Sequence, residues 1–108
     1  MELTGKAKED FYRWYLNHIK SYNDKLISNT DINYFNLLTD SMKYGVYVDW
    51  FDSVGIVFWV SPFYNHDLGV MNEWAGYDDN GLLGTTQKTR QEARTKAIEK
   101  ANEIYNNQ

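Results

Sequence analysis

The residues from Thr89 to Tyr105 carry the strongest local signal in the chain, because their capping and their periodicity predict the same helix. Thr89 and Glu92 form a capping box, in which the Thr hydroxyl accepts from the Glu92 amide and the Glu carboxylate returns to the Thr89 amide. Small side chains follow at every fourth position, at Ala93, Ala97 and Ala101. Such a row lets a helix approach a sheet closely, so the sequence predicts a helix over 89–105 packed on strands.

A second helix is predicted near the start of the chain, over about 5–24. Thr4 is its candidate N-cap, and the apolar side chains that follow recur every three or four positions, which places them on one helical face. They are Ala7, Phe11, Trp14, Tyr15, Ile19, Tyr22 and Leu26. Residues 25–38 are interpreted as an irregular connection. Its inward-facing side chains are expected to be Tyr34, Phe35, Leu37 and Leu38.

Two structures are compatible with residues 39–55. A strand is suggested by the alternation of Val46, Val48 and Trp50 and by their β-propensity. A helix is suggested by the N-cap candidates at 39–41 and by Gly55, which stands where a helix needs a left-handed C-terminal residue. The helix has its own apolar spacing of four, at Met42, Val46, Trp50 and Val54. Because only the helix explains Gly55, we predict a helix over about 40–54.

Three strands are predicted next, over about 56–61, 68–77 and 82–86, from β-branched and aromatic runs bounded by turn residues. Pro62 is expected to close the first strand, and residues 65–67 to form the following turn. Gly69 and Gly76 are interpreted as sites of bulges, and the Asn80-Gly81 pair predicts a tight hairpin.

The predicted fold class is a single α+β domain with the order α-α-β-β-β-α, in which a three-stranded antiparallel meander packs against helices on one face. The first strand alternates between two sets of side chains, and neither set is polar. They are Ile56, Phe58 and Val60 on one face, and Val57 and Trp59 on the other. An apolar sheet face without a cover predicts a surface for a partner or for a second copy of this chain.

Composition limits the class of protein. The 108 residues correspond to one domain, and 43% hydrophobic residues with 24% charged residues indicate a globular chain. There is no Cys, which excludes disulfides and thiolate chemistry and fits the cytoplasm. The polar start of the sequence predicts neither a signal peptide nor a membrane span.

Catalytic and metal-binding patterns are weak, so we expect no enzyme activity, no metal and no cofactor. Asp49 and Asp52 could serve as an acid and base pair, but acids three apart on a helix are more often a solvated face. The two His residues match no zinc spacing. The run Asp78-Asp79-Asn80-Gly81 lacks the alternate ligands of a calcium loop and is better explained as a hairpin turn.

Three strands followed by a helix with a basic start resemble the back half of a double-stranded-RNA-binding domain. The segment at 90–94, Arg-Gln-Glu-Ala-Arg, is similar to the Lys-Lys-x-Ala-Lys motif of that family, with Gln91 in place of the second Lys. The resemblance implies nucleic-acid contacts from Lys88, Arg90 and Arg94. The net charge of −4 disfavours general affinity for nucleic acid.

A broader resemblance is carried by LTGKAKEDF near the start, MKYGVYVDWFDSVGI in the middle and TRQEARTKAIEKANEIYN at the end. These segments look like short uncharacterised proteins encoded by bacteriophages and mobile elements of gut bacteria. No activity is established for that family, so the resemblance implies context and no site. It implies a small accessory protein that binds one host or phage protein, for example to inhibit a host protein or a defence system.

The sequence therefore predicts a non-catalytic protein that acts by protein–protein binding. Its expected contact residues are large rings on the sheet face and hairpins, the side chains that most often anchor interfaces. They are Trp59, Tyr64, Trp74 and Tyr77. A second version uses an acidic surface that imitates phosphate charge toward a nucleic-acid-binding host protein. Its residues are Asp49, Asp52, Asp78 and Asp79.

Overall fold

The computed structural model describes residues 1–23, 29–78 and 82–108, with side chains throughout except at 19–23, 29–31, 77–78, 82–83 and 85. These ranges form four helices and one antiparallel sheet, which confirms the α+β domain. The elements are α1 (Gly5–Asn23), α2 (Asn29–Asn36), α3 (Asp40–Ser53), β1 (Phe58–Asn65), β2 (Val70–Asp78), β3 (Leu82–Gln87) and α4 (Arg90–Asn106). The strand order β1-β2-β3 is the predicted meander.

Helix α4 contacts all three strands as well as α1 and α3. Its N-cap is formed as expected, since the Thr89 hydroxyl accepts from the Glu92 amide at 3.1 Å. The face toward the rest of the fold is buried and consists of Ala93, Ala97, Ile98 and Ala101. The alanine row therefore lets one helix touch every strand of the sheet.

Helix α3 occupies the segment for which the sequence left two alternatives. The Thr39 hydroxyl accepts from the Met42 amide at 3.4 Å, and Gly55 adopts a φ of +82° just beyond the helix. The apolar face expected at a spacing of four is not the buried one, because Met42 is 59% exposed and Val54 37%. Met42 and Val54 are twelve residues apart, which separates their side chains by about 120° around the helix axis. These two side chains therefore cannot share a face. The buried face is Lys43, Tyr47, Trp50 and Phe51.

The interpretation of 25–38 as irregular was wrong for α2, which is helical over Asn29–Asn36. Phe35 anchors it, since this side chain is fully buried and its ring centroid lies 5.1 Å from that of Phe11. Tyr34 and Leu37, expected to point inward, are 65% and 80% exposed. The position of α2 thus depends on the tertiary contact of Phe35 with Phe11, which the local sequence pattern does not encode.

The first hairpin is longer than predicted, because β1 continues through Pro62 to Asn65. Proline is tolerated there because β1 lies at the edge of the sheet, where ladder bonds are needed on one side only. The Asn65 side chain accepts from the amides of Asp67 and Leu68, at 3.1 and 3.2 Å. Gly69 completes this turn at a φ of +67°, so it is a turn residue and not a bulge.

The centre of the helical layer is a cluster of aromatic rings around Phe11. Its ring centroid lies 4.9 Å from that of Tyr47 and 5.6 Å from that of Trp50, and Trp50 lies 4.9 Å from Tyr105. All three of Phe11, Tyr47 and Trp50 are buried. Many of the aromatic side chains are therefore part of the hydrophobic core.

The start of α1 and the end of α4 are joined by side-chain amides, a contact we call the helix clasp (Thr4, Ala7, Asn102 and Asn106). Asn102 accepts from the Thr4 amide and donates to the Thr4 hydroxyl, both at 2.9 Å. Asn106 accepts from the Ala7 amide at 2.8 Å and donates to the Thr4 carbonyl at 3.0 Å. A free amide in the first turn of α1 is therefore satisfied from α4 rather than by a local N-cap.

We expect Asn106→Ala to lower the free energy of unfolding by about 1–2 kcal/mol, the typical effect of removing a helix cap. Asn107→Ala is the matched control, because the Asn107 side chain is exposed and outside the clasp. Urea unfolding followed by circular dichroism measures both variants. Equal stability of the two variants would contradict a structural role for the clasp.

Alkaline pH should destabilise the fold through Tyr47. Burial raises the pKa of the Tyr47 phenol well above its ordinary value, and Tyr12, Glu2 and Asp40 raise it further. In the unfolded chain this phenol ionises near pH 10, so its contribution is complete below about pH 10 and is lost as pH rises further. The Tyr47→Phe variant should therefore lose less stability between about pH 9 and 11 than the parent, as measured by urea midpoints. Equal losses in the two proteins would refute this.

Candidate functional site

The two faces of the sheet have different surroundings. On one face Phe58 and Ala75 are 8% and 3% exposed and join the core formed with the helices. Successive residues of a strand point to opposite faces. The pairing register therefore places another set of side chains together on the face that α4 does not cover. This open face carries Trp59, Ser61, Phe63, Asn72, Trp74 and Thr86.

Two tryptophans of the open face pack over glycines of neighbouring strands. Trp59 lies over Gly76, where an added Cβ would sit 2.6 Å from the indole, and Trp74 lies over Gly84 with the corresponding distance of 2.5 Å. The two indole centroids are 5.9 Å apart with an interplanar angle of 66°. The Trp59 ring thus packs against Gly76, and the two residues form a regular strand pair. Gly76 is therefore not the predicted bulge.

Beside the rings is an open depression of about 380 Å³, the aromatic hollow, lined by Ser61, Phe63, Trp74 and Thr86. A second depression of about 480 Å³, the polar hollow, shares the lining residue Thr86 with it and includes residues at the start of α4. The polar hollow is lined by Asn65, Leu68, Asn72, Thr86, Gln87, Lys88 and Glu92.

Asn72 is the buried polar group of the polar hollow. It is 6% exposed, and its Oδ1 atom has no hydrogen-bond partner. The neighbouring Glu73 points to the other face, where one carboxylate oxygen pairs with the Arg90 guanidinium at 3.4 Å and the other is unpaired. Each of these two unpaired buried acceptors, Asn72 Oδ1 and one Glu73 carboxylate oxygen, costs folding free energy.

The turn of the β1–β2 hairpin carries exposed apolar side chains, which we call the hairpin tip. Its members are Tyr64 (50% exposed), Leu68 (69%), Val70 (48%) and Met71 (59%). The Tyr64 and His66 rings contact each other at 4.8 Å between centroids. Leu68 also lines the polar hollow, whereas Tyr64 and Met71 pair with each other in the set of strand residues that alternates with the open face.

The predicted contact residues are distributed over this region without forming one patch. Trp59 and Trp74 are neighbours on the open face. Tyr64 belongs to the alternate set of β1 and lies at the hairpin tip. The Tyr77 backbone pairs with Phe58, and the Tyr77 side chain lies outside the described part of the chain.

The predicted acidic residues lie on separate elements. Asp49 and Asp52 are exposed on α3, and Asp78 is the last residue of β2. Asp79 lies outside the described residues. Within the ranges that are described, no three Asp, Glu or His side chains are grouped closely enough to hold a metal ion.

The basic residues proposed for nucleic acid have intramolecular contacts. Arg90 pairs with Glu73. Arg94 donates to the Ser41 hydroxyl at 3.2 Å and lies 5.2 Å from the centre of the Tyr44 ring. These contacts fasten α4 to the sheet and to α3. Lys88 is exposed and lines the polar hollow.

The sequence did not point to four residues that shape this surface: Asn72, Glu92, Leu68 and Met71. The period-two alternation of β2 could have placed Asn72 beside Trp74 on the open face. Glu92 was assigned to the capping box, and its backbone amide does donate to the Thr89 hydroxyl as predicted, but its place beside the polar hollow was not foreseen.

No protein-family model matches the chain, and no curated protein and no solved structure matches it significantly. In the described ranges, no helix is both long enough and apolar enough to cross a membrane.

Placing a methyl group under either tryptophan should displace its ring. Gly76→Ala and Gly84→Ala should each lower the free energy of unfolding by about 1–3 kcal/mol, the usual cost of overpacking. They should also shift the tryptophan emission spectrum. Gly45→Ala is the control, because nothing lies within 4 Å of its added Cβ, and a helical Gly→Ala change should stabilise by about 0.5–1 kcal/mol. Unchanged stability of both strand variants would refute the packing.

Proposed function

We propose that this protein acts without catalysis, by binding another protein through the hairpin tip and the adjoining open face. One observation carries the proposal: Tyr64, Leu68, Val70 and Met71 are all about half exposed or more, and they are grouped at one turn. Grouped apolar side chains in water are a feature of interaction surfaces. Singly exposed ones, such as Val57 between the buried Ile56 and Phe58, need no such explanation.

The composition of the surface supports a protein partner. Aromatic residues and Met are enriched in protein–protein interfaces, and the open face offers Trp59 and Trp74 farther along the same hairpin. The two tryptophans are already fixed by packing on glycines. Side chains fixed before binding lose less conformational entropy when a partner arrives, which favours affinity.

The biological setting follows from the resemblance to accessory proteins of bacteriophages and mobile elements. We propose a host or phage protein in the cytoplasm as the partner, with inhibition of a host protein or defence system as the outcome. The exposed Asp49 and Asp52 on α3 supply negative charge suited to a basic partner. A second copy of this chain is the competing partner, since β1 is an open sheet edge.

The test exchanges exposed apolar residues for acids at the tip and elsewhere. Leu68→Glu with Met71→Glu changes the tip. Leu37→Glu with Met42→Glu is the matched control, because Met42 and Met71 are both 59% exposed and both leucines are at least 69% exposed. Immobilised protein captures partners from a lysate of a gut bacterium, and light scattering gives the oligomeric state.

We expect the tip variant to lose at least about tenfold in captured partner, which corresponds to about 1.4 kcal/mol. The control should bind as the parent does. Equal capture by the two variants would contradict the tip as the contact surface. If the parent forms concentration-dependent dimers and the tip substitutions abolish them, the partner at the tip is a second copy of this chain and not a foreign protein.

A further inference from the structure

We infer that the outer edge of β3 pairs with β3 of a second copy of this chain, antiparallel and centred on Gly84, so that the two sheets become one continuous sheet. This dimer goes beyond the proposed function, because it uses the sheet edge opposite β1 and none of the residues of the hairpin tip. It presents two tips to a partner, which strengthens binding to paired or repeated sites.

Pro62 determines which backbone groups the edges of the sheet offer. β1 pairs with β2 in one unbroken register from Phe58 to Asn65, and Pro62 within it has no N–H group. A proline inside an edge strand is tolerated where the missing N–H would point away from the sheet. Backbone groups alternate in direction along an antiparallel strand. The even-numbered residues of β1 therefore point their backbone groups outward, and the odd-numbered ones bond to β2.

The same alternation continues across the sheet to β3. Glu73 is the partner of Pro62 in the register, so its backbone groups turn away from β1 and toward Gln87 of β3. Gln87 and Thr85 therefore bond to β2. The alternate residues of β3 turn their N–H and C=O groups to the outside, and these residues are Leu82, Gly84 and Thr86.

The outer edge of β3 is free along the whole strand. Among the described residues, no backbone hydrogen bond joins 82–87 to an element other than β2, and both Gly84 and Thr86 are exposed. β3 contains no proline, whereas Pro62 removes a donor from the middle of the free edge of β1. Unpaired backbone groups at a sheet edge are complementary to another extended strand, so β3 is the edge suited to such pairing.

Symmetry and charge select a second copy as the added strand. With a two-fold axis at Gly84, every outward-pointing residue is used, because Gly84 faces Gly84 and Leu82 faces Thr86 of the second copy. Lys88 follows β3 at one end, and Asp78 pairs with Leu82 at the other. Antiparallel pairing brings these oppositely charged ends of the two copies together.

The glycine at the axis also brings two indole rings together. Trp74 packs over Gly84 from the neighbouring strand and is half-buried in one copy. Facing residues of a hydrogen-bonded antiparallel pair have Cα atoms about 5.5 Å apart, so the two Trp74 rings become neighbours across the axis. The pairing thus removes apolar surface from water in addition to forming backbone hydrogen bonds.

The experiment measures sedimentation of the whole chain from about 10 µM to about 1 mM, the range suited to a small interface. We expect a reversible equilibrium of monomer and dimer. Hydrogen exchange followed by NMR should show the Gly84 and Thr86 amides exchanging at least about threefold more slowly at the high concentration, because only the monomer exposes them. The Thr85 and Gln87 amides bond to β2 and should exchange equally at both concentrations.

Substitutions separate this edge from the tip. Thr86→Pro removes an outward N–H group without removing a bond to β2, and it should lower the association constant of the dimer at least about tenfold. Leu68→Glu with Met71→Glu, the tip variant, is the control and should dimerise as the parent does. If the amide spectrum shows that Thr86→Pro is unfolded, Lys88→Glu replaces it. This change brings like charges together at the ends of the paired strands and should also weaken the dimer.

A strict monomer at about 1 mM would overturn the inference. So would a dimer whose Gly84 and Thr86 amides exchange at one rate at both concentrations, or one that the tip variant abolishes. If the parent dimerises through β3 while the tip variant captures as much partner as the parent, the inference stands and the proposed function fails. If no dimer forms while capture still depends on the tip, the proposed function stands and the inference fails.

Discussion

The close approach of α4 to the sheet is the contact on which the rest of this structure depends. Ala93, Ala97 and Ala101 are buried at 3% exposure or less, and larger side chains there would hold the helix away from the strands. Because α4 also touches α1 and α3, such a displacement would open the aromatic cluster as well. The helix clasp acts at the far end of the same helix, where Asn102 and Asn106 bind the start of α1.

One helix layer covers one face of a sheet, and this chain has no second layer in the described ranges. The open face is protected in a different way, by indoles that pack over Gly76 and Gly84. Aromatic rings over strand glycines bury backbone that has no side chain of its own. The arrangement shields the sheet backbone and leaves Trp59 and Trp74 half-buried on the open face. The proposed contact would therefore use rings that also stabilise the fold.

The parts of the fold that the sequence predicts are those fixed by local chemistry. The Thr89 cap, the left-handed Gly55 and the strand alternation around Trp59 each depend on a few adjacent residues. Helix α2 depends on burial of Phe35 against Phe11, a contact between distant residues. The polar hollow could not be predicted from the sequence either, because it is formed jointly by residues of the hairpin and by residues at the start of α4. Composition and residue spacing do not show that these segments lie close together.

Two adjacent residues of β2, Asn72 and Glu73, carry buried polar atoms on opposite faces of the sheet. Glu73 turns toward the helices, and its charge is balanced within the fold by Arg90. Asn72 turns to the open face, is as buried as a core residue, and keeps an oxygen without a partner. An apolar side chain of similar size at that position would be buried equally well and would leave no acceptor unpaired. Asn72 and Glu73 thus each leave one buried acceptor oxygen without a hydrogen-bond partner, on opposite faces of the same strand.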